Sequence, residues 1–170
     1  MNLQSDDHHW YAVYTAPRAE KKVSERFFSA GIEHYLPVKI LKHRWSDRIK
    51  EVAVTVIRGY IFVHIKPDDF RKVLKIYGAI AFVKEGGDPT IIPDNQMTRF
   101  RNMVEFSDEE VEFSNEHMEK GEIVQICKGP LQGLMGELIE VKGIHKVIIR
   151  LDNFGCATTI IPLSFVEKIN

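Results

Sequence analysis

The sequence predicts an α+β protein in which an antiparallel β-sheet flanked by helices is followed by a small five-stranded β-barrel. Three observations support this prediction. Residues 8–104 mix strand and helix periodicities, residues 121–170 contain only short strand patterns broken by glycine-rich turns, and an acidic run separates the two parts. A chain of 170 residues can form one domain or two small ones, and the acidic run favours two.

Charge is unevenly distributed, although the net charge of the chain is only −1. Residues 8–104 contain 17 Lys and Arg against 10 Asp and Glu, a net charge of +7, whereas residues 121–170 contain five of each sign. Residues 105–119 contain seven Asp and Glu and no Lys or Arg, and such a stretch buries too little apolar surface to offset its ordering entropy. We therefore predict domains over 8–104 and 121–170, joined by an acidic linker over 105–120. A solvated acidic helix lying against the first domain is the alternative.

The N-terminal pattern predicts a strand followed by a helix. Residues 10–14 are aromatic and β-branched, as in a buried strand. Pro17 suits the first turn of a helix, and apolar side chains recur at four-residue steps from residue 18 to 30. Gly31 can end this amphipathic helix.

A long hairpin and a central strand are expected next. Residues 35–45 and 49–57 are extended candidates separated by a Ser-Asp-Arg turn. Residues 59–65 form a nearly continuous apolar run, which is typical of a strand covered on both faces. Pro67 then opens a second helix that Gly78 can end.

The remainder of the N-terminal part predicts one strand, one turn and one helix. Residues 81–84 form the strand, and the Gly-Gly-Asp-Pro sequence at 86–89 is a turn. A third helix begins at Pro93 and has an apolar edge. The residues of that edge are Met97, Phe100, Met103 and Val104.

The C-terminal part contains five strand candidates and no helical period. They are residues 122–127, 136–141, 146–151, 156–161 and a short piece near Phe165. Five short strands within residues 121–170 predict a small closed barrel.

Metal-binding, catalytic and membrane-spanning patterns are missing from the sequence. Cys127 and Cys156 have no Cys-x-x-Cys spacing, and the favoured interpretation is that they are small apolar core residues. No phosphate-binding Gly-Lys-Ser/Thr loop occurs, and no Ser/His/Asp or Cys/His set can be located by spacing. No apolar run approaches the ~20 residues that span a bilayer. We therefore expect a cytoplasmic protein that is not an enzyme and needs no cofactor or metal.

Residues 121–141 resemble the KOW motif of NusG proteins and several ribosomal proteins. The motif consists of a strand, the Gly129-Pro130 turn, Gly133 and Gly136 at a tight reversal, and a second strand. Residues 10–104 resemble the NusG amino-terminal domain through the first strand, the basic helix, the Gly-Tyr-Ile-Phe-Val strand at 59–63, and the Pro93 helix. The chain is thus identified as a member of the NusG family, with an amino-terminal domain and a KOW barrel related to Src-homology-3 folds.

One position departs from the family pattern. The family usually has Phe-Pro before the Gly-Tyr of the central strand, whereas Ile57-Arg58 stands here. The long basic hairpin, the short connector and the polar edge of the first helix resemble specialised paralogues of the RfaH group. Those paralogues serve particular long operons.

The resemblance implies a transcription elongation and antitermination factor that binds RNA polymerase. In such proteins an apolar depression of the amino-terminal domain caps the clamp helices of the largest polymerase subunit and reduces pausing. The matching positions here are Tyr14, Tyr60, Phe62, Phe82 and Phe100. Tyr and Phe are common at interface hot spots, and ordinary core packing is the alternative, above all for Phe62 and Phe82.

A basic stripe on the first helix is a candidate nucleic-acid contact. Arg18, Lys22 and Arg26 lie at four-residue steps, and in the paralogues this helix lies near the non-template DNA strand. A solvated face balanced by neighbouring glutamates is the alternative. The hairpin extends the same positive field through Lys39, Lys42, His43, Arg44, Arg48 and Lys50.

The resemblance also implies a protein-binding surface on the barrel. Family contacts for a small-subunit ribosomal protein or for the Rho termination factor map to Leu131, Leu134 and Phe154, with packing across the barrel mouth as the alternative for Phe154. In RfaH-like members the barrel can instead bind the protein's own first domain. A KOW-type RNA-binding or ribosome-associated protein that does not act on polymerase is the second functional hypothesis, and the zero net charge of residues 121–170 argues against it.

Overall fold

The computed structural model describes residues 7–169, where the predicted helices and strands occur in the predicted order together with short strands that were not predicted, one of them at Asp88–Pro89 within the predicted turn. The strands are β1 (His9–Thr15), β2 (His34–Tyr35), β3 (Val38–Arg44), β4 (Ile49–Thr55), β5 (Tyr60–Ile65), β6 (Ala79–Phe82), β7 (Lys84–Glu85), β8 (Asp88–Pro89), β9 (Val111–Ser114), β10 (Glu122–Ile126), β11 (Met135–Val141), β12 (Ile144–Leu151), β13 (Gly155–Ile160) and β14 (Val166–Lys168). The helices are α1 (Glu20–Ser29), α2 (Phe70–Leu74) and α3 (Asp94–Phe106), and short 3₁₀ turns occupy Pro67–Asp69 and Leu163–Phe165.

The described residues form two compact units, and each unit is discontinuous in sequence. The first contains the residues up to Leu36 together with Ile57–Asp94. The second contains Pro37–Val56 and the residues from Asn95 onward. The long hairpin and nearly all of α3 therefore group with the C-terminal strands. These units do not coincide with the predicted boundaries at 104 and 121.

The first unit is built on a four-stranded antiparallel sheet with the order β2-β5-β1-β6. One face of this sheet packs against α1 and α2. The core there contains Tyr11, Val13, Val23, Phe27, Ile32, Ile61, Val63, Ile65, Val73 and Phe82. Burying a side chain of this size contributes about 1.5–3 kcal/mol, so this layer is a major source of stability for the unit.

The opposite face of the same sheet is aromatic, because neighbouring strand residues point to opposite sides. Tyr14 lies opposite Tyr60, Ala12 opposite Phe62, and Trp10 opposite His64 in the β1–β5 register. The Trp10 ring stacks on His64 at a centroid distance of 4.9 Å. We call this side, formed by residues 10, 12 and 14 of β1 and 60, 62 and 64 of β5, the aromatic face.

Two predicted helix ends are wrong by several residues. Arg18 has a φ of 59°, in the left-handed region, so α1 begins only at Glu20 and Pro17 lies in the turn before it. Helix α2 ends at Leu74, before Gly78. Gly78 has a φ of 95°, and an added Cβ would lie 2.7 Å from Val23 Cγ2 on α1. Gly78 therefore allows the chain after α2 to pass close to α1, and it does not cap helix α2.

The second unit contains the β3–β4 hairpin, α3 and a six-stranded antiparallel sheet, which we call the C-terminal sheet. Its strand order is β14-β10-β11-β12-β13-β9. Five of these strands match the predicted candidates within two residues. On α3 the predicted apolar edge is confirmed, since Met97, Phe100, Met103 and Val104 are its buried residues.

The sixth strand of the C-terminal sheet comes from the acidic run. β9 pairs antiparallel with β13, so residues 111–114 are neither an unpaired linker nor an acidic helix. The reason is local alternation within the run. Val111 is buried and Phe113 half-buried, whereas Glu112 between them is exposed, as expected of an edge strand with one apolar face.

Candidate functional site

The predicted polymerase-binding set is split by the structure. Tyr14 and Tyr60 form a contacting pair on the aromatic face, with ring centroids 4.9 Å apart and planes tilted by 42°. Tyr14 is 40% exposed, and Tyr60 is half-buried. This pair presents apolar ring area together with polar hydroxyl groups, the combination that protein interfaces favour.

The turn before Tyr60 is held by hydrogen bonds on both sides of Gly59. The amide of Gly59 donates to Glu20 Oε1 at 2.7 Å, and its carbonyl accepts from the amide of Thr15 at 2.9 Å. Glu20 is only 9% exposed. A carboxylate that accepts from a partly buried amide fixes the turn more firmly than a neutral acceptor does, so Glu20 positions Tyr60.

The residues that replace the family's Phe-Pro divide between core and solvent. Ile57 is 3% exposed, and Arg58 is exposed. The apolar packing before the central strand is therefore kept by an aliphatic side chain. The second position adds an exposed positive charge two residues before Tyr60 instead of a rigid ring.

Three of the five predicted polymerase contacts are buried. Phe62 lies on the aromatic face but has no exposed surface, and its ring stacks near Tyr35. Phe82 lies on the other face of the sheet, in the core, with its ring centroid 4.8 Å from that of Phe70. Phe100 is a fully buried residue of α3. The five residues do not form one surface, and of the five only Tyr14 and Tyr60 are accessible.

The basic stripe on α1 is less uniform than its spacing predicts. Arg18 and Lys22 are exposed, but Arg18 lies before the helix begins. Arg26 donates from Nη1 to the carbonyl of Tyr77 at 2.8 Å, and its guanidinium lies 5.1 Å from the Tyr77 ring centroid. Arg26 therefore links α1 to the turn after α2, while Lys22 and Arg18 remain open to an anion.

The hairpin presents a second basic surface in the other unit. Lys42, His43, Arg44, Arg48 and Lys50 are all exposed. Trp45 at the turn is 53% exposed and has Lys50 Nζ 5.8 Å from its ring centroid. Sequence reasoning named the basic residues but missed Trp45, although an aromatic residue in a polar turn was a readable signal.

Lys39 does not belong to that exposed surface, which corrects the predicted positive field. Its side chain is 8% exposed and donates to the carbonyls of Val104 and Ser107 at the C-terminal end of α3. Burial lowers the pKa of the Lys39 ammonium from its ordinary value of 10.5, and Asp108 partly opposes this shift. A cation at a helix C-terminus is favourable, so Lys39 joins the hairpin to α3.

The three residues predicted for partner binding in the C-terminal sheet are largely buried. Leu131 and Leu134 are 6% and 7% exposed and line a cavity of about 360 Å³ with Arg99, Asn102 and Phe106 of α3. Phe154 is 7% exposed, and its ring lies 5.0 Å from that of Phe113 in β9. Phe154 is therefore packed against a neighbouring ring, which is the alternative interpretation given for this residue from the sequence.

An ion pair inside the second unit anchors the chain that leads into β10. Arg150 Nε lies 2.5 Å from Glu137 Oε2, and Arg150 Nη2 donates to the carbonyl of Glu119 at 2.8 Å. Glu137 Oε1 accepts from the amide of Gly121 at 2.9 Å. The hydrogen bond to Glu137 raises the pKa of Arg150 above its ordinary value. This network fixes the KOW-like segment rather than offering a site for chemistry.

Two kinds of feature are absent from residues 7–169. No cluster of three His, Cys, Asp or Glu side chains that could hold a metal ion occurs within this range. None of the helices described there is long and apolar enough to cross a membrane.

Comparison with known proteins identifies the family. Residues 8–101 match the family described as "Transcription termination factor nusG". The chain belongs to the NusG family. This NusG-family chain is 26% identical over 165 residues to the transcription termination/antitermination protein NusG of Rickettsia conorii, and 24% identical over 172 residues to that of Rickettsia typhi. Each alignment covers 89% of this chain and 84% of the relative.

The fold of this NusG-family chain also matches a solved structure. The structure, reported for the domain interaction in Thermotoga maritima NusG, has a TM-score of 0.54 and 21% sequence identity. It covers 96% of this chain and 98% of the other. A likeness at this identity establishes a NusG-like fold of mixed helices and antiparallel sheets. The roles of individual residues rest on the geometry described above.

Proposed function

We propose that this NusG-family protein acts in transcription elongation and antitermination by binding RNA polymerase through the Tyr14–Tyr60 pair. The observation that carries the proposal is a contacting tyrosine pair that stays accessible on the aromatic face, where Trp10, Ala12 and Phe62 are buried. The expected partner surface is the clamp helices of the largest polymerase subunit. Holding the clamp closed would reduce pausing and termination.

The energetic case rests on few residues. Truncating an aromatic hot spot commonly costs 2 kcal/mol or more, which is a factor of about thirty in affinity. Glu20 contributes indirectly, because it holds the turn that presents Tyr60. The exposed residues Arg18, Lys22 and Arg58 of the same unit supply positive charge that speeds association with an acidic partner.

Binding to cognate core polymerase tests this proposal directly. The full-length chain, fluorescently labelled, is titrated with polymerase, and Tyr60→Ala is expected to weaken binding at least tenfold. Tyr77→Ala is the matched control, because Tyr77 is 82% exposed on the same unit and lies outside the aromatic face. Circular dichroism and urea unfolding establish that both variants keep the fold.

Three results would contradict the proposal. Wild-type protein that fails to bind polymerase removes it altogether. Equal affinities of wild type and Tyr60→Ala would move the interface away from the tyrosine pair. Tight, salt-sensitive binding of the full chain to free RNA, without polymerase binding, would favour the RNA-binding or ribosome-associated alternative.

The remaining parts of the chain are assigned supporting roles in the same proposal. Arg18 and Lys22, with a lesser part for Arg26, contact the phosphates of the non-template DNA strand. The C-terminal sheet is a KOW barrel that recruits a further protein, a small-subunit ribosomal protein or Rho, near Leu131, Leu134 and Phe154. The exposed basic hairpin supports a specialised, RfaH-like regulator of particular operons. Genome-wide mapping of the bound protein would show few loci for a specialised factor and general occupancy for a housekeeping one.

A further inference from the structure

The β3–β4 hairpin has two faces, and its register shows which residues share a face near the tip. The last pair of the register is Arg44 with Ile49, and beyond it the amide of Trp45 donates to the carbonyl of Arg48 at 2.8 Å. Neighbouring residues of a strand point to opposite sides. The residues that share one side at the tip are His43, Trp45, Arg48 and Lys50. We call this side the Trp45 face.

The Trp45 face is basic and open to solvent. All four of its residues are exposed. The nearest acidic residues in the sequence are Asp47, which lies in the loop, and Glu51, which pairs with Lys42 on the opposite face. Within residues 7–169 no carboxylate forms an ion pair with Arg48 or Lys50. The face therefore offers two uncompensated cations beside an aromatic ring.

Trp45 leaves much of its ring accessible at this tip. It is 53% exposed, whereas Trp10, the other tryptophan of the chain, is 7% exposed. Lys50 Nζ lies 5.8 Å from the Trp45 ring centroid, which keeps a positive charge close to the ring. Tryptophan is on average a highly buried residue, so a half-open ring among cations indicates a ligand with both a flat apolar part and negative charge.

The Trp45 face lies at the end of an arm that is anchored at its root. Lys39 is on the same side of the hairpin, and its ammonium donates to the carbonyls of Val104 and Ser107 in the same unit. Trp45 follows six residues later. At about 3.3 Å per residue, the tip is about 20 Å from this anchor. A ligand can therefore reach the Trp45 face without displacing the residues that hold the hairpin.

We propose that the Trp45 face binds single-stranded nucleic acid, with one unpaired base stacked on the Trp45 ring and the adjoining phosphates held by Arg48 and Lys50. Proteins that bind single strands without sequence preference combine aromatic rings for the bases with cations for the backbone. RNA and an unpaired DNA strand share this chemistry. The inference goes beyond the proposed function, because it requires neither polymerase nor the basic stripe on α1.

The neighbours of Trp45 distinguish a single strand from other ligands. The centre of a protein interface is depleted of charged residues, whereas the residues beside Trp45 on this face are cations. A DNA duplex would suit the cations but not the ring, because its bases are already stacked on one another. Only an unpaired strand offers free base surfaces and phosphates together.

Binding of labelled oligonucleotides to the full-length chain tests the stacking contact. The probes are fluorescein-labelled DNA and RNA single strands of one mixed sequence, about 12 nucleotides long. Trp45→Leu should weaken binding at least about fivefold, since stacking contributes about fivefold to 150-fold per base. Trp45→Phe keeps a flat ring and should retain most of the affinity. Ile49→Ala, a change on the opposite face at a side chain that is 64% exposed, should bind as wild type.

Salt dependence tests the phosphate contacts separately. Replacing Arg48 and Lys50 together with glutamine should reduce the slope of log affinity against log salt by about 1.4, whereas Trp45→Leu should leave the slope unchanged. Lys42→Gln on the opposite face is the control and should also keep the wild-type slope. In a chain that already carries Arg18→Gln and Lys22→Gln, the loss caused by Trp45→Leu should persist, which separates this face from the stripe on α1.

Tryptophan fluorescence reports the contact directly. A base stacked on Trp45 should quench the emission of wild type, and Trp45→Phe should bind the strand without this quenching, because Trp10 is buried. A duplex of the same sequence should bind Trp45→Leu as tightly as wild type. Tighter binding of RNA would assign the face to a transcript, and tighter binding of DNA would assign it to an unpaired DNA strand.

Two results would overturn the proposal. One is equal affinity of wild type and a folded Trp45→Leu for both single strands. The other is a Trp45→Leu chain that keeps its affinity for nucleic acid but loses affinity for polymerase, which would place Trp45 in a protein interface. Circular dichroism establishes that each variant is folded. Failure of wild type to bind polymerase would contradict the proposed function and leave this site standing.

Discussion

At the scale of single residues, the buried charged groups perform structural tasks that their spacing in sequence does not reveal. Glu20, Lys39 and Glu137 each bond to main-chain groups distant in sequence, at Gly59, at Val104 and Ser107, and at Gly121. From the sequence, Glu20 was expected on a solvated face and Lys39 on a basic surface. Glu137 was not singled out. An unpaired buried main-chain group costs about 1–3 kcal/mol, which explains why charged side chains serve these positions.

Lys39→Met should lower the free energy of unfolding by about 1 kcal/mol at pH 7, because two carbonyls at the end of α3 lose their donor. It should also change the pH dependence. The folded-state pKa of Lys39 is lowered, so between that pKa and 10.5 the unfolded chain binds a proton that the folded chain lacks. Within this window the Lys39 contribution makes stability rise with pH.

Urea unfolding at several pH values up to 10.5 measures this contribution. The slope of stability against pH should be smaller in Lys39→Met than in wild type. Lys42→Met, an exposed change on the same strand, is the control and should keep the wild-type slope. Identical slopes in all three proteins would mean that the Lys39 ammonium is solvated.

Gly78→Ala should destabilise the first unit by more than a left-handed backbone alone explains. The new Cβ would meet Val23 Cγ2 at 2.7 Å, and overpacking of this kind costs about 1–3 kcal/mol in addition to the strain at φ 95°. Gly87→Ala is a matched control, since Gly87 has a φ of 94° and no atom within 4 Å of the added Cβ. Chemical denaturation should rank Gly78→Ala as the less stable; equal losses would show that Val23 moves aside freely.

At the scale of elements, periodicity in the sequence predicted most strands and helices correctly, but it did not predict which elements pair or pack with one another. The apolar edge of α3 and the five C-terminal strands follow from local patterns that each element carries in full. The membership of Phe82 in the core and of Tyr14 and Tyr60 on the aromatic face depends on the β1 register with β5 and β6, which is set by long-range pairing. The acidic run was predicted to be a linker because of its total charge. The alternation of the apolar residues Val111 and Phe113, which indicates a strand, was overlooked.

Glu20→Gln tests whether the turn before Tyr60 depends on a carboxylate. The amide keeps an acceptor oxygen but loses the charge, so the hydrogen bond from Gly59 weakens by roughly half. We expect a loss of about 0.5–1 kcal/mol in stability and a fewfold loss in polymerase affinity. Glu25→Gln, an exposed change on the same helix, should alter neither. A loss of stability in Glu20→Gln without any loss of polymerase affinity would mean that Glu20 does not position Tyr60 for binding.

At the scale of the whole molecule, the charge pattern predicts salt dependence rather than fold. Basic residues are exposed on α1 and on the hairpin, whereas acidic residues concentrate around β9. Contacts between lysine or arginine and phosphate release counterions, so their number is read from the salt dependence of binding.

Replacing Arg18 and Lys22 together with glutamine should reduce the slope of log affinity against log salt for single-stranded DNA by about 1.4, or about 0.7 per lost contact. Fluorescence anisotropy of a labelled oligonucleotide between 50 and 200 mM salt, a range of about fourfold, measures the slope. Lys84→Gln, an exposed change on β7, should leave it unaltered. An unchanged slope in the double variant would mean that these residues form a solvated face and do not contact the DNA.

The discontinuous units also constrain how the chain folds during synthesis. Residues 37–56 leave the ribosome before β5, yet their compact unit is completed only by residues from 95 onward. At about 5–20 residues per second, translation leaves the hairpin without the rest of its unit for several seconds, and Lys39 lacks its carbonyl partners at Val104 and Ser107 during that time. The first unit, finished by residue 94, is ready sooner. Nascent chains stalled between these points should therefore expose the hairpin to chaperones while the tyrosine pair is already in place.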